Sequence, residues 1–209
     1  MTQRRVVFMG TPDFAVPCLK AIVDAGYEVC GVVSQPDRPK GRGKKLAPSP
    51  VKAAALAMGL EVVTVERVKD PAFLVQLQAW NPDVAVVVAF GQILPEAVLK
   101  APRFGCINVH ASLLPAYRGA APIHRVLLNG ESRSGVTTMQ MDKGMDTGDI
   151  LLMEAVDISA DMTVGELHDL LSGKGAALLV ETLAQIFAGT IRPIPQDSSK
   201  ATYAAGPGD

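Results

Sequence analysis

The sequence predicts an α/β fold with a Rossmann-like, open, mainly parallel sheet and helices on both faces. Two observations support it. Short β-branched runs alternate with longer helical segments, as in βαβ units. The run from Val84 to Ala89 is apolar throughout, which is typical of a strand that is covered on both faces.

The predicted elements follow from these patterns in chain order. Several helices open with proline, whose missing N–H costs nothing in a first turn. The last helix begins with a capping box, Thr163 with Glu166, and Gly173 and Gly175 are candidate interruptions of it. The predicted strands are 5–9, 28–33, 61–63, 84–89, 105–110, 134–139 and 150–156, and the predicted helices are 12–25, 50–58, 71–79, 95–99, 121–128 and 163–188.

Two segments depart from this alternation. Residues 34–50 are rich in Pro, Gly, Lys and Arg and are far longer than an ordinary connection between a strand and a helix, so we predict a functional or disordered loop. Residues 197–209 lack apolar periodicity and end in Gly-Pro-Gly-Asp. We therefore expect one domain over residues 1–196, followed by an exit linker or frayed tail over 197–209.

Composition excludes several classes of protein. The chain has 209 residues, 48% of them hydrophobic, and 20 basic against 21 acidic side chains, so any contact with nucleic acid must be local. No apolar run approaches the roughly 20 residues that span a bilayer. The three cysteines lack C-x-x-C spacing, which argues against a disulfide framework or a structural zinc site. We expect a cytoplasmic protein without a membrane partner.

The sequence does not match three common ligand-binding motifs. The first strand is followed by Gly10-Thr11-Pro12-Asp13-Phe14, where Pro12 replaces the second glycine of a dinucleotide fingerprint. In the basic loop, Lys45 stands where a P-loop needs Ser or Thr. The acidic stretch 142–149 lacks the terminal Glu of an EF-hand.

Asn108 and His110 are the first candidate functional pair. Two residues apart in the predicted strand 105–110, they share a face at its carboxyl end, where open α/β sheets bind ligands. An amide and a protonated imidazole could stabilise an oxyanion on an attacked carbonyl. Alternatively, Asn108 caps a turn and His110 is a hydrogen-bonded core residue.

Three acids and a cysteine complete the candidates. Asp142, Asp146 and Asp149 lie between two strands, where a carboxylate could reach His110, hold its tautomer and favour its charged form. The alternative is a solvated turn. Cys106 is in phase with Asn108 and is a candidate nucleophile, although a cysteine deep in an apolar strand is usually inert.

These motifs together resemble the folate-dependent formyltransferase family. The resemblance extends from the first strand to about Tyr203. The segments that carry it are N-x-H-x-S-L-L-P from Asn108, Tyr117-Arg118-Gly119, and Asp146 in G-M-D-T-G. Within the family, Gly10–Phe14, the basic loop and Arg118–Ile123 are similar to the branch whose acceptor is initiator methionyl-tRNA.

The resemblance implies a reaction and its residues. The family transfers the formyl group of 10-formyltetrahydrofolate to a primary amine, and Asn108, His110 and Asp146 are the implied catalytic residues. No metal or covalent enzyme intermediate is required. The residues that it assigns to folate are Phe90, Gly91, Gln92, Ile93, Leu94, Ser112, Leu113, Leu114, Pro115, Asp142 and Gly144. For Phe90 to Leu94, ordinary packing at a strand end is the alternative.

The basic loop is the implied tRNA contact. Five cations fall within eight positions, and the glycines between them let the backbone follow a phosphate ribbon. The alternative is a solvated charged surface. The five residues are Arg38, Lys40, Arg42, Lys44 and Lys45.

The resemblance leaves two other functions open. One is formyl transfer to a small amine, such as glycinamide ribonucleotide or an amino sugar. The other is a non-catalytic module that binds folate or RNA. Members of the implied branch continue into a C-terminal domain that contacts tRNA, so we expect such a domain to be absent from this chain. We also expect a monomer.

Overall fold

A computed structural model describes residues 4–206 of the chain. Its contacts divide the chain into two compact units, residues 1–106 and 107–209. The elements of the first unit are β1 (Arg5–Gly10), α1 (Val16–Asp24), β2 (Glu28–Ser34), β3 (Arg38–Lys40), β4 (Lys45–Ala47), α2 (Pro50–Ala57), β5 (Val62–Thr64), α3 (Pro71–Trp80), β6 (Val84–Val88) and α4 (Glu96–Lys100).

Parallel strands form the core of the first unit. They are ordered β5-β2-β1-β6, and every pairing is parallel. All five residues of β6 are buried, which confirms the predicted strand for Val84–Val88. Ala89, the last residue of the predicted strand, lies outside β6 and is exposed. Trp80 packs directly on Gly31 of β2, since a Cβ at residue 31 would lie 2.4 Å from the indole ring.

Local sequence signals set the helix starts. Ser49 Oγ accepts from the Lys52 amide at 3.1 Å, and Asp70 Oδ1 accepts from the Ala72 amide at 3.0 Å, each just before a proline in the first turn. The predicted helix 12–25 is instead a 3-10 turn, Asp13–Ala15, followed by α1.

The long loop 34–50 contains structure that the sequence did not predict. β3 and β4 form an antiparallel hairpin in which Arg38 pairs with Ala47 and Lys40 with Lys45. Its turn includes Gly41 and Lys44, both with positive φ. The hairpin was missed because Pro and Lys are poor strand formers.

The second unit is built on antiparallel strands. Its elements are β7 (Cys106–His110), α5 (Pro122–Leu128), β8 (Arg133–Gln140), β9 (Ile150–Asp157) and α6 (Val164–Ala188). The strands are ordered β7-β8-β9, and both pairings are antiparallel. With four parallel strands in the first unit, the chain has the mainly parallel α/β architecture that the sequence predicts.

α6 is one continuous helix, so its two glycines do not interrupt it. The Thr163 hydroxyl accepts from the Glu166 amide at 3.1 Å, which confirms the N-terminal half of the predicted capping box. α6 is long and apolar enough to be a candidate membrane span by length and composition alone, but half of that window is buried within the protein. A core helix passes the same test, and Leu167, Leu171 and Leu179 are fully buried here.

The C-terminal segment is not a frayed tail where it is described. Thr202 O accepts from the Arg118 amide at 2.8 Å, and the Ala204 amide donates to Arg118 O at 2.6 Å. Residues 198–200 form a 3-10 turn. Residues 207–209 of the predicted tail lie outside the described residues.

Candidate active site

Asn108 and His110 project from one face of β7, as the two-residue period predicts. Asn108 is half-buried, and His110 is 8% exposed at the carboxyl end of the strand. Their antiparallel partners in β8 are Met139 and Thr137. The strand thus delivers an amide and an imidazole to the same site in the second unit.

Both ring nitrogens of His110 face oxygen atoms. Nε2 lies 2.8 Å from the carbonyl oxygen of Tyr117, which can only accept, so Nε2 carries a proton. Nδ1 lies 3.7 Å from Oδ2 of Asp146, an ion-pair distance that is too long for a direct hydrogen bond. The imidazolium form presents an N–H to each oxygen. The tautomer is therefore fixed by the Tyr117 carbonyl, whereas we predicted that a carboxylate would hold it.

Asp146 is held in an unusual backbone conformation. Its φ is +55°, in the left-handed region that costs about 1–3 kcal/mol for a residue other than glycine. Oδ2 accepts from the Gly119 amide at 2.7 Å, and the carbonyl oxygen accepts from Nε2 of Gln196 at 2.8 Å. These contacts fix the carboxylate beside His110.

Residues 117–119 are held against the C-terminal segment by hydrogen bonds and close packing. Tyr117, also with positive φ (55°), donates its amide to the Thr202 hydroxyl at 2.8 Å. Glycine is required at residue 119, because φ is +106° and a Cβ would lie 2.8 Å from the Ala204 carbonyl oxygen. The loop that supplies the acceptor for His110 thus has little freedom to move.

The predicted segment Ser112 to Pro115 forms the turn after β7. The Ser112 hydroxyl donates to the Ala116 carbonyl at 2.6 Å, and Thr137 Oγ1 donates to the Ser112 carbonyl at 2.7 Å. The Leu114 amide donates to the same Thr137 hydroxyl at 3.2 Å, and the Leu114–Pro115 peptide bond is cis. Leu113 is half-buried.

Asp142 and Gly144 shape the loop that carries Asp146. Asp142 Oδ1 accepts from the Gly144 amide at 2.9 Å and from the Thr147 hydroxyl at 2.6 Å. Asp142 is exposed, so its role in the structure is that of an acceptor within its own turn. Asp149 lies at the end of this loop, and its carbonyl accepts from the Gln140 amide at 2.8 Å.

The predicted residues 90–94 lie in the first unit, directly after β6. Phe90 and Leu94 are buried, whereas Gly91 and Ile93 are exposed. The side chain of Gln92 is committed to a neighbouring loop: Oε1 accepts from the Val68 amide at 2.9 Å, and Nε2 donates to the carbonyls of residues 65 and 66.

The five predicted tRNA-contacting residues also lie in the first unit, on the β3–β4 hairpin. All five are exposed. The hairpin exposes Leu46 as well, at 70%. The structure thus places the five cations on one exposed hairpin.

Cys106 is the candidate that the structure argues against. It is fully buried, with Sγ facing the carbonyls of Val98 and Leu99 at 3.8 and 3.9 Å. Burial raises the pKa of its thiol to about 12, so the nucleophilic thiolate is scarce at neutral pH. Its position in β7 is that of core packing.

Sequence reasoning gave no role to Tyr117, Arg118, Gly119 or Gln196. The first three lie inside the motif that carries the family resemblance, which could have drawn attention to them. No local signal identifies Gln196, because its contacts are about 50–80 residues away along the chain. Among residues 4–206, no group of three or more His, Cys, Asp or Glu side chains is placed to hold a metal ion.

Comparison with known proteins defines the class. The model of the formyl transferase family matches residues 4–183, so the chain belongs to that family. It is 58% identical to the methionyl-tRNA formyltransferase of Lachnospira eligens over 95% of this chain and 63% of that protein. It is 55% identical to that of Clostridium novyi, over 96% and 65%. The chain thus spans just under two thirds of these relatives.

Solved structures support the fold. Glycinamide ribonucleotide transformylase 1 from Symbiobacterium toebii matches with a TM-score of 0.77 and 20% identity, over 92% of this chain and 94% of that one. An N-formyltransferase from Helicobacter canadensis, solved with folinic acid and dTDP-3-aminofucose, matches with a TM-score of 0.73 and 22% identity, over 97% and 71%.

Proposed function

We propose that this chain transfers the formyl group of 10-formyltetrahydrofolate to the amino group of methionine on initiator tRNA. Family membership supports the reaction type, and the names of relatives that are more than 50% identical support this acceptor. The observation that carries the proposal is the placement of the His110 ring between the Tyr117 carbonyl and the Asp146 carboxylate.

The chemistry needs a neutral amine, a stabilised oxyanion and a protonated leaving group. The amine nitrogen attacks the formyl carbon, a C–N bond forms, and the formyl oxygen becomes negative. Asn108 and the His110 imidazolium stabilise that oxyanion by hydrogen bonds and charge. Since Nε2 is engaged by Tyr117, the Nδ1 edge is the part of the ring that serves the oxyanion.

Asp146 moves the proton. Its Oδ2 accepts from Gly119, so we assign proton transfer to Oδ1. The carboxylate takes the proton that the attacking amine loses and returns it to N10 of the folate, directly or through water, as the bond from the formyl carbon to N10 breaks. Atoms and charge balance without a metal or a covalent enzyme intermediate.

We assign donor binding to the segments that the family resemblance indicates. Residues 90–94 would supply backbone groups and the apolar side chain of Ile93, because the Gln92 side chain is occupied by the backbone of residues 65–68. In the second unit, the turn 112–115 and the Asp142 turn would support the Asp146 loop. The β3–β4 hairpin would contact the tRNA phosphates.

The test is formyl transfer to methionyl initiator tRNA by the parent chain, His110→Ala and His124→Ala. The chain has three histidines, and His124 is exposed on α5, so it is the matched control. We expect His110→Ala to lower turnover by about 10²–10³-fold, the usual loss for an oxyanion donor, and His124→Ala to match the parent.

The outcomes separate the alternatives. Product from the parent but not from His110→Ala, with equal folate binding, supports both the reaction and its centre. Formyl transfer to small amines but not to methionyl-tRNA would show that the acceptor is a small amine. Equal turnover in the parent and His110→Ala would contradict the assigned site.

A further inference from the structure

Gln196 makes five hydrogen-bond contacts with a single carboxamide, and the longest runs from Nε2 to Sδ of Met139 at 3.6 Å. Nε2 donates to the carbonyls of Asp146 and Gly148 at 2.8 and 2.7 Å. Oε1 accepts from Nε and Nη2 of Arg118 at 3.2 and 2.9 Å. Both hydrogens and both lone pairs of the amide are thus used.

Arg118 fixes which way the carboxamide faces. Arg118 is 2% exposed as a whole residue, and its guanidinium donates to Oε1 of Gln196 and, at 3.4 Å, to the Ser198 hydroxyl. A guanidinium can only donate, so the oxygen of Gln196 must face it. The amide nitrogen must then face the two carbonyls of the Asp146 loop.

We propose that Gln196 is a positioning residue for formyl transfer, which acts by holding the backbone of Asp146 so that its carboxylate stays beside Gly119 and His110. The inference rests on the proposed role of Asp146. Asp146 has a left-handed backbone that needs support, and Gln196 binds its carbonyl and that of Gly148, two residues further on. Without these bonds the loop can relax and carry the carboxylate away.

Two substitutions separate positioning from packing. Gln196→Leu has a similar size and removes all five hydrogen-bond contacts. Gln196→Glu keeps the acceptor for Arg118 but turns a carboxylate oxygen toward two carbonyls. If Gln196 served only to satisfy Arg118, Gln196→Glu would restore turnover, and that result would overturn the proposal.

We expect both variants to lower kcat by at least about 10-fold, since a displacement of about 1 Å in a catalytic group costs on the order of 10²-fold. KM for the folate donor should stay within about 2-fold of the parent. In an Asp146→Asn background, Gln196→Leu should add less than about 2-fold, because it acts through that carboxylate. An equal loss in both backgrounds would show an independent structural role and overturn the proposal.

The amide of Gly119 gives a readout that needs no substrate. It donates to Asp146 Oδ2 at 2.7 Å, and a short bond to a carboxylate moves an amide proton downfield in NMR spectra. The sequence has two Arg–Gly junctions, 42–43 and 118–119, so ¹³C′-Arg with ¹⁵N-Gly labelling isolates Gly43 and Gly119. Gly43 lies on the hairpin and is the internal control.

We expect the Gly119 proton to move upfield in Gln196→Leu, as in Asp146→Asn, while Gly43 is unchanged. An unchanged Gly119 signal would overturn the proposal even if turnover fell. If Gln196→Leu does not fold, Gln196→Glu takes its place in the same spectra, because it keeps Arg118 satisfied. The two measurements test different hypotheses. Absence of tRNA formylation by the parent chain would refute the proposed function. The Gly119 signal tests only whether Gln196 positions Asp146.

Discussion

His110 and Cys106 share one face of β7, but their surroundings give them opposite chemistry. The Nε2–H group of His110 donates to the Tyr117 carbonyl at 2.8 Å, and its Nδ1 lies at ion-pair distance, 3.7 Å, from the Asp146 carboxylate. Cys106 lies four residues deeper, where burial raises its pKa to about 12 and keeps the thiol protonated. At the scale of single residues, position along the strand decides which group can act on a substrate.

Cys106→Ala should therefore leave turnover within about 2-fold of the parent at neutral pH. The thiol takes no part in the proposed reaction, and the small cavity that is left should cost about 1 kcal/mol of unfolding free energy. Turnover and chemical denaturation measure the two effects separately. A loss above about 10-fold in a variant that remains folded would restore the cysteine nucleophile as a hypothesis.

At the scale of secondary-structure elements, prediction succeeded where a local signal determined the result. Prolines at residues 50 and 71 and the Thr163 cap predicted the starts of three helices to within about one residue. The β3–β4 hairpin was missed because its stability comes from cross-strand pairing of residues with poor strand propensity. The sequence predicted Gly173 and Gly175 alike as candidate interruptions of the last helix, although their surroundings in α6 differ.

The two glycines of α6 should respond in opposite ways to alanine. A Cβ at residue 173 meets no atom within 4 Å, whereas one at residue 175 would lie 2.9 Å from Cγ1 of Val109. Gly173→Ala should raise the free energy of unfolding by about 0.5–1 kcal/mol through helix propensity. Gly175→Ala should lower it by about 1–3 kcal/mol through overpacking.

Turnover should also differ between Gly173→Ala and Gly175→Ala. Val109 stands between Asn108 and His110 in β7, with its side chain toward α6. A steric clash with Val109 should displace both neighbouring candidate catalytic residues. Gly175→Ala should therefore lose activity, and Gly173→Ala should not. Urea denaturation and turnover of both variants are the measurements. Stabilisation by both substitutions would contradict the close approach of α6 to β7.

At the scale of the whole molecule, what sequence reasoning missed depends on contacts between distant parts of the chain. Asn108 and His110 follow from strand periodicity, and Asp146 from a motif. The support of Asp146 by Gln196 and the pairing of residue 118 with 202 and 204 arise only when the chain has folded. No local pattern encodes such contacts, since each joins positions about 50 or more residues apart.

The distribution of charge over the molecule leads to the last prediction. The net charge is −1, so the protein as a whole does not attract a polyanion, and the proposed recognition of tRNA requires a local concentration of cations. The exposed β3–β4 hairpin provides one.

Arg42→Ala should weaken tRNA binding and reduce the slope of log K against log salt concentration by about 1, which is the effect of one lost phosphate contact. The affinity for folate should stay within about 2-fold of the parent. Arg133→Ala, at an exposed arginine of β8, is the matched control and should leave the slope unchanged. Binding measured across a series of KCl concentrations is the test. Equal loss of folate and tRNA affinity in Arg42→Ala, or the same loss of slope in Arg133→Ala, would show that the hairpin is not a dedicated RNA contact.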